Sequence, residues 1–168
     1  MSITMYQTCV PVLVRALTNL SGVLAKGAAH AAERNIAPEV LLNTRITPDM
    51  FPLIRQVQIA TDMSKGAAYR LAGMEPPKMD DNETSFDELQ KRIAAVVDML
   101  KSFKPEQIDG SEDREIVLKM RSGEQHFHGQ DYLLGYVLPN VYFHTTTAYA
   151  ILRGVGVVLG KADFLGKA

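Results

Sequence analysis

The sequence has very few cysteines: Cys9 is the only one among 168 residues. A single cysteine cannot form an intrachain disulfide, which favours a reducing compartment. Because Cys9 stands beside Pro11 in an apolar segment, we expect its thiol to be buried and inert. The net charge of -1 also lacks the basic surplus that marks a nucleic-acid-binding surface. We therefore expect no nucleic-acid partner.

Long hydrophobic runs are missing as well. Residues 10–17 are apolar but are interrupted by Pro11 and Arg15, and no run reaches the roughly 18 apolar residues of a membrane-spanning helix. No basic leader precedes this stretch and no cleavage signature follows it, so a signal peptide is not expected. The sequence predicts a cytoplasmic protein without a membrane partner.

The motifs of two common enzyme classes do not occur. The sequence has no Gly-x-Ser-x-Gly elbow of the hydrolase type. Gly154-x-Gly156 lacks the preceding strand, the third glycine and the following helix of a dinucleotide-binding motif. Neither a hydrolase triad nor a dinucleotide cofactor is supported.

What the sequence does contain is one domain of amphipathic helices, residues 1–168. Its 46% hydrophobic and 22% charged residues are typical of a globular protein with its own core. Apolar residues recur at helical spacing from Met5 to Ala32, with Pro11 either opening or kinking this first helix. A short helical turn is expected between Asn35 and Pro48.

Helix-capping and helix-breaking residues delimit the second and third helices. Thr47-Pro48-Asp49 combines an N-cap, a first-turn proline and an acidic residue, and predicts a helix that runs to Ala72 and ends at Gly73. A capping box at Ser85 to Glu88 predicts the third helix, which ends before Pro105. The polar residues Gln58, Thr61 and Lys65 lie on the inward face of the second helix, where apolar residues are expected. The whole face comprises Phe51, Ile54, Gln58, Thr61, Lys65, Ala68 and Ala72.

Helical periodicity fails after the third helix. Residues 115–121 and 124–128 are typical of two short strands around a tight turn at Ser122-Gly123, and a hairpin this small must pack on the bundle. The last helix resumes at Gln130, is kinked or restarted by Pro139, and is stopped by Gly154. The tail GKADFLGKA is predicted to be extended, with Phe164 and Leu165 docked on a neighbouring surface.

These segments predict the fold class. We expect an all-α, up-and-down four-helix bundle of antiparallel helices, with a small β-hairpin inserted before the last helix.

His144 is the best-placed candidate functional residue. It lies in PNVYFHTTTAYAILRGVG, near the start of the last helix, where a polar ring can face an interior cavity. One interpretation is a buried histidine hydrogen-bonded to Gln58 or to a threonine hydroxyl. The other is a ligand-binding or catalytic group.

Other polar residues leave similar alternatives open. The spacing of Asp62 and Lys65 is typical of an ion pair on one helix, although inside a bundle they could act as acid and base beside Gln58. His126 and His128 alternate along a strand and could chelate a metal, but without a visible third ligand we favour exposed edge residues. Four tyrosines form a helical series in which most belong to the core and one or two line a pocket: Tyr132, Tyr136, Tyr142 and Tyr149.

Two stretches carry a resemblance to known proteins. YFHTTTAYAILRGVGVVLGKADFLG and RQVQIATDMSKGAAYRLAG resemble a family catalogued as a domain of unknown function within the DinB/YfiT-like superfamily of helical bundles. The similarity covers essentially the whole chain, and the terminal helix with GKADFLG is its most specific part. The resemblance implies a four-helix bundle, commonly dimeric, with a three-histidine divalent-metal site in members that are enzymes. Some of those are thiol-cofactor-dependent transferases or isomerases.

The metal pattern of that superfamily transfers one position at a time. In metal-binding members the last helix carries His-x-x-x-His before a Leu-Arg pair; counted back from Leu152-Arg153, the second histidine falls on His144 and the first on Asn140. The third ligand falls on Gln58, or on Asp62 if the register shifts by one turn. Because carboxamide oxygens are poor ligands for transition metals, the resemblance implies a degenerate site in which only His144 remains.

Two functions are therefore predicted. The first is a bundle that binds a small molecule in an interhelical pocket, without a cofactor, through residues drawn from Gln58, Asp62, Asn140, His144 and Tyr149. The alternative is a divalent-metal-dependent transferase or hydrolase of the DinB type, with zinc or nickel held by His144, Asp62 and a hairpin histidine. A homodimer is expected in either case, from helix surfaces rich in alanine and threonine and from the resemblance.

Overall fold

The structure is a computed structural model that describes residues 2–120 and 123–166. Four long helices form a bundle: α1 (Met5–Glu33), α3 (Leu53–Leu71), α4 (Phe86–Ser102) and α7 (Leu138–Gly154). Shorter helices are α2 (Pro38–Leu42), α5 (Pro105–Ile108), α6 (Gly129–Asp131) and α8 (Lys161–Leu165). A hairpin of β1 (Glu115–Met120) and β2 (Gly123–His128) precedes a π-helical segment (Tyr132–Val137) that leads into α7. The predicted bundle with its inserted hairpin is confirmed.

Helix α1 begins at a capping box and supplies a large part of the core. Thr4 Oγ1 accepts from the Gln7 backbone N–H, and Gln7 Oε1 accepts in return from the Thr4 N–H. By length and composition this helix is apolar enough to cross a membrane. In the structure, however, Leu13, Leu17 and Leu24 are fully buried inside the bundle. A helix in the core of a bundle can be as long and as apolar as a membrane-spanning helix. The apolar composition of α1 is therefore explained by its packing inside the bundle.

The second long helix starts later than predicted. Residues 47–50 form a turn in which Thr47 Oγ1 donates to Asp49 and the Met50 N–H to the Thr47 carbonyl, and α3 begins at Leu53 with Pro52 as its N-cap. The start predicted at Thr47 is wrong because it would place Pro52 inside the helix. There its missing N–H and its ring oppose the helical turn. The predicted stop at Gly73 is confirmed by a φ of 72° directly after α3.

Contacts between helices fix their directions. α7 runs antiparallel to α3, because His144 meets Gln56 near one end of the pair and Tyr132, just before α7, meets Arg70 near the other. α4 runs parallel to α3, since Thr61 contacts Arg92 and the ring of Tyr69 packs against Phe103 further along both helices. The segment 73–85 therefore returns along the bundle before α4 begins. The predicted antiparallel direction is wrong for this pair of helices, because the long connection lets α4 start at the same end of the bundle as α3.

The hairpin and the C-terminal tail both pack on the bundle. Ile116 and Leu118 of β1 are buried, and Phe127 of β2 packs against two tyrosines of the π-helical segment. Ser122, of the predicted turn, lies outside the described residues. The tail is helical at Lys161–Leu165 rather than extended, because Asp163 accepts from the Gly160 N–H and caps the turn. Its predicted docking is confirmed by bonds from Asn19 and Arg15 of α1 to its carbonyls.

Candidate functional site

His144 lies on the face of α7 that packs against α3, and it is buried. Its Nδ1 lies 2.7 Å from Gln56 Oε1, while Gln56 Nε2 donates to the Phe51 carbonyl at 2.9 Å. That second bond fixes the orientation of the carboxamide, so its oxygen faces the imidazole. The neutral ring therefore carries its proton on Nδ1 and leaves a lone pair on Nε2.

Burial lowers the pKa of His144, and the positive charge of nearby Arg55 lowers it further. Both effects penalise the imidazolium ion, so the ring is neutral near pH 7. Its Nε2 makes no hydrogen bond to any residue that the structure describes. The ring is thus an oriented, neutral hydrogen-bond acceptor.

The predicted hydrogen-bond partners of His144 differ from the observed one. Gln58 points elsewhere: its Nε2 donates to Glu83 at 2.8 Å, and its Oε1 accepts from Arg55 at 3.2 Å. The neighbouring threonines are also occupied, because Thr145 and Thr147 donate to carbonyls of their own helix. The buried, hydrogen-bonded histidine is present, but its partner is Gln56.

Asn140, one turn before His144, has a local partner. Its side-chain nitrogen donates to the Tyr136 carbonyl at 2.7 Å. This carbonyl belongs to the π-helical segment, next to Pro139, where one backbone N–H is missing. The carboxamide therefore supports the junction between the π-helical and α-helical turns.

The polar stripe of α3 faces α4, where the buried Arg92 is its partner. Arg92 Nε donates to Thr61 Oγ1 at 2.7 Å, and Nη2 contacts Asp62 Oδ1 at 2.9 Å. The return segment completes the cluster, since Nη1 contacts Glu83 Oε1 at 2.9 Å and Nη2 contacts Asp81 Oδ1 at 3.1 Å. Burial alone would lower the pKa of Arg92, but the bond to Glu83 and the neighbouring carboxylates raise it. We call these residues the Arg92 cluster.

Asp62 is fully engaged in this cluster. The predicted pair with Lys65 is present, with Nζ 3.0 Å from Asp62 Oδ1, and the same oxygen also contacts Arg92. This arrangement explains why polar residues occupy an inward face of α3, since each has a partner there.

A divalent transition metal does not fit the residues around His144. Its nearest neighbours are the carboxamide of Gln56 and the cation Arg55, whereas zinc and similar ions take imidazole, thiolate or carboxylate ligands. Within residues 2–120 and 123–166, no three side chains of histidine, cysteine, aspartate or glutamate are grouped to hold an ion.

The hairpin histidines lie apart from His144. His126 and His128 are exposed on β2, where His126 Nδ1 is 3.3 Å from Glu115 and His128 Nδ1 is 3.4 Å from the Asp113 carbonyl. Their exposed position on the edge of the hairpin agrees with the favoured interpretation.

A cavity of about 330 Å³ lies between α1, α7 and α8. Its walls are mostly apolar and include Val12, Ala16, Leu20, Tyr142 and Phe164. Tyr149 reaches it indirectly, because its ring packs edge-on against Phe164 with centroids 6.2 Å apart. The remaining predicted site residues, Gln58, Asp62, Asn140 and His144, are not among the residues that line it.

The bundle, the return segment and the last helix with His144 define a helical bundle of the DinB-like class. A DinB family member from Shewanella denitrificans, known from a crystal structure, matches with a TM-score of 0.89 and 38% sequence identity, over 97% of this chain and 92% of that chain. The family described as "Domain of unknown function (DUF1993)" matches residues 5–165, and the chain belongs to it. No curated protein matches. The predicted family and fold are thereby confirmed.

Proposed function

We propose that this protein binds a small, uncharged, apolar molecule in the cavity between α1, α7 and α8. The observation that carries the proposal is the cavity itself, about 330 Å³ in volume, which is within the usual range of small-molecule pockets. A concave, mostly apolar space of this size is the usual setting of a small-molecule site.

The polar groups at the cavity support an uncharged ligand because they already have partners. Asn19 donates to the Phe164 carbonyl at 3.0 Å, and Arg15 donates to the Leu165 carbonyl at 3.1 and 3.2 Å. Thr145 donates to the Val141 carbonyl. No aspartate or glutamate of the described residues lines the cavity, so a cationic ligand would be desolvated here without compensation; an anion could reach only Arg15, which is bound to the Leu165 carbonyl.

The C-terminal helix forms one wall of the cavity and is held by side chains of α1. Besides Arg15 and Asn19, Lys26 Nζ lies 2.7 Å from Asp163 Oδ1. These three α1 residues share one face, so the tail is fixed along several helical turns. Release of these bonds would open the cavity and provides a route for ligand entry.

The proposal is tested by filling the cavity. Ala16→Leu adds volume to its α1 wall, whereas Ala25→Leu makes the same change at an exposed position of the same helix. Binding is measured with the neutral fluorophore Nile red and with a set of neutral aromatic fragments by ligand-observed NMR. We expect Ala16→Leu to weaken binding at least tenfold and Ala25→Leu to leave it unchanged.

Two outcomes would count against the proposal. One is no saturable binding of any neutral probe by the wild-type protein. The other is an equal effect of both leucine substitutions, which would indicate that the probe binds elsewhere. Thermal melts of both variants serve as the folding control.

We infer further that the three-ligand metal site of the superfamily is degenerate in this chain. The carboxamides at Gln56, Gln58 and Asn140 and the cation Arg55 support this inference, and no residue contact favours the alternative of a metal-dependent transferase or hydrolase. Zinc and nickel titrations followed by calorimetry test it, with His144→Ala as the comparison. A stoichiometric ion bound tightly by the wild type and lost in His144→Ala would contradict the inference.

A homodimer through the outer face of α7 is also proposed. Residues 138–152 contain no aspartate, glutamate, lysine or arginine, and Phe143 on this face is 56% exposed. A helix without charged residues is normally buried on most of its sides. With Ile46, Met50 and Tyr142 it borders one shallow groove. We call this surface the α7 patch.

The area of the α7 patch is suited to a second copy of the chain. Three large side chains of the patch that are each about half exposed, Ile46, Tyr142 and Phe143, offer roughly 300 Å² of apolar surface at about 100 Å² each. A stable interface buries about 800 Å² per partner, somewhat more than half of it apolar. The patch is therefore about the size of an interface core.

Sedimentation measures the proposed dimer directly. The chain has a mass of 18.5 kDa, so the wild type is expected at about twice that mass and Phe143→Arg at the mass of the single chain. Ile3→Arg places the same charge at another exposed apolar residue and should leave the dimer intact. A monomeric wild type, or equal dissociation by both substitutions, would refute the α7 patch as the interface.

The cytoplasm remains our proposed location. It rests on the single buried Cys9, which requires no oxidising compartment.

A further inference from the structure

A second concave region lies at the opposite end of α3, between its last turn, β1 and the π-helical segment. It comprises two adjoining cavities of about 590 Å³ and about 260 Å³. Both are bordered by Arg70, Glu75 and Val117, so they form one groove. This groove lies apart from the cavity between α1, α7 and α8, with which it shares no lining residue.

The half-buried Arg70 is unlike the other buried or half-buried lysine and arginine side chains that the structure describes. Arg55, Lys65 and Arg92 each contact a carboxylate. In contrast, no carboxylate of the described residues lies within 4 Å of Arg70 or Arg114, although Glu75 and Glu115 also line the groove. Glu115 is itself paired with His126. Two guanidinium groups at one groove are thus left available for an anion.

Two glycines leave the space that these guanidinium groups occupy. A Cβ at Gly66, in the middle of α3, would collide with Arg70 Nη1, and a Cβ at Gly73 would collide with Arg114 Nη1. A glycine inside a helix costs about 1 kcal/mol relative to alanine. Gly66 therefore has a physical explanation: it lets the Arg70 side chain lie flat on the helix and reach Tyr132, whose hydroxyl is 3.0 Å away.

One side of the larger cavity is aromatic and apolar, where Tyr136 and Met63 are half-buried and Tyr132 lies fully buried behind them. The rings of Tyr132 and Tyr136 stack with centroids 6.0 Å apart at an interplanar angle of 20°. Together with Met63 and Val117 they border the larger cavity. Both tyrosines belong to the π-helical segment, and such segments occur often at functional sites.

We propose that this groove binds a small carboxylate with an apolar or aromatic body. The carboxylate would lie between Arg70 and Arg114, where planar guanidinium groups bind carboxylates with two parallel hydrogen bonds. The body would lie against the half-buried side chains of Tyr136 and Met63, with the Tyr132 ring stacked behind Tyr136. This proposal is independent of the neutral ligand proposed above, because the two sites have no residue in common.

The experiment uses 3-phenylpropionate and its neutral analogue 3-phenylpropionamide, with binding to the full chain measured by calorimetry and chemical-shift changes. We expect saturable binding of the carboxylate and at least tenfold weaker binding of the amide. Arg70→Met and Arg114→Met should each weaken carboxylate binding at least tenfold. Arg45→Met, the same change at an exposed arginine outside the groove, should have no effect.

Gly66→Ala separates binding from stability. The new methyl group displaces the Arg70 guanidinium, the movable end of a long side chain, so the fold tolerates the change and gains helix propensity. We expect an unchanged or raised melting temperature together with weaker carboxylate binding. Ala16→Leu, in the other cavity, should not affect carboxylate binding.

Three results would overturn the proposal. They are equal binding of carboxylate and amide, an effect of Arg45→Met as large as that of Arg114→Met, and no carboxylate binding at millimolar concentration. Because Arg114 is exposed, its substitution is not expected to impair folding, and its result stands even if Arg70→Met is unstable.

Discussion

Replacing Arg92 with leucine tests how the bundle tolerates charge in its interior. The Arg92 side chain is only 1% exposed and contacts three carboxylates, of Asp62, Asp81 and Glu83. Two of these keep another cation after the substitution, because Asp62 also contacts Lys65 and Asp81 also contacts Arg55. Glu83 keeps only the carboxamide of Gln58. The decrease in the free energy of unfolding should therefore arise mainly from the unpaired charge of Glu83.

The expected loss of stability follows from the loss of the only cation that contacts Glu83 among the described residues. The Glu83 side chain is 9% exposed, and removing one partner of a buried ion pair typically costs about 3–5 kcal/mol. For a chain of this size each kcal/mol shifts the melting temperature by about 2–4 °C, so we expect a decrease of roughly 6–20 °C. Urea unfolding monitored by circular dichroism at pH 7 gives the free energy of unfolding, with the melting temperature as a second measurement.

A second substitution identifies the source of the loss. Adding Glu83→Gln to Arg92→Leu removes the orphaned charge and should recover at least half of the lost free energy. Adding Asp81→Asn should recover little, because Asp81 is 36% exposed and retains Arg55. If Arg92→Leu costs less than about 1 kcal/mol, well below the usual range for a buried pair, the reasoning is wrong. Equal recovery by the two added substitutions would also refute it.

Two further predictions concern Cys9 and His144. Burial raises the pKa of the Cys9 thiol to about 12, so we expect no alkylation by iodoacetamide at pH 8 until urea unfolds the protein; rapid labelling of the native protein would contradict this. The pKa of His144 is lowered from the ordinary 6.5 by burial and by Arg55, so the unfolded state takes up a proton at higher pH than the folded state. The free energy of unfolding should therefore fall as the pH drops below about 6.5, and His144→Gln should reduce this dependence between pH 8 and pH 5. An identical pH dependence in both proteins would argue against a neutral, buried His144.

The long helices were predictable because their apolar spacing and their end signals agree. Ser85 caps α4 as expected, with its hydroxyl accepting from the Glu88 N–H. The start of α3 was predicted wrongly because Thr47-Pro48-Asp49, a pattern typical of a helix N-terminus, forms a turn instead. The deciding residue was Pro52, whose position five residues after Thr47 is incompatible with a helix that starts there.

The partner of His144 was harder to predict from sequence. Gln56 and Gln58 differ by two positions, which places them on different faces of α3, and only the packing of α7 decides which one meets the histidine. For the polar stripe of α3, a signal did exist in α4. Arg92 stands between Leu89 and Val96 at helical spacing, on the apolar face, where a charged residue indicates a polar partner on the facing helix.

The functional residues proposed here depend on contacts that spacing does not reveal. Arg70 and Arg114 are 44 positions apart in the sequence and border the same cavity because β1 lies beside the end of α3. The π-helical segment also has no sequence signal of its own beyond the nearby Pro139. Both cavities are formed by the packing of elements that are distant in the sequence. The sequence therefore predicted a pocket but not its position.

The parallel direction of α3 and α4 has a consequence for the order in which the chain folds. Because α3 and α4 are parallel, they cannot form a simple helical hairpin. The antiparallel contacts between long helices instead join residues far apart in the sequence: Ser21 and Gln90 are separated by 69 residues, and Gln56 and His144 by 88 residues. Closing a loop of about 90 residues rather than about 10 costs roughly 2 kcal/mol more chain entropy. That difference corresponds to a folding rate on the order of 25-fold slower than for a bundle of consecutive hairpins, if closure limits the rate. Until α7 has been synthesised, the α3 face that carries Gln56 has no helix to cover it.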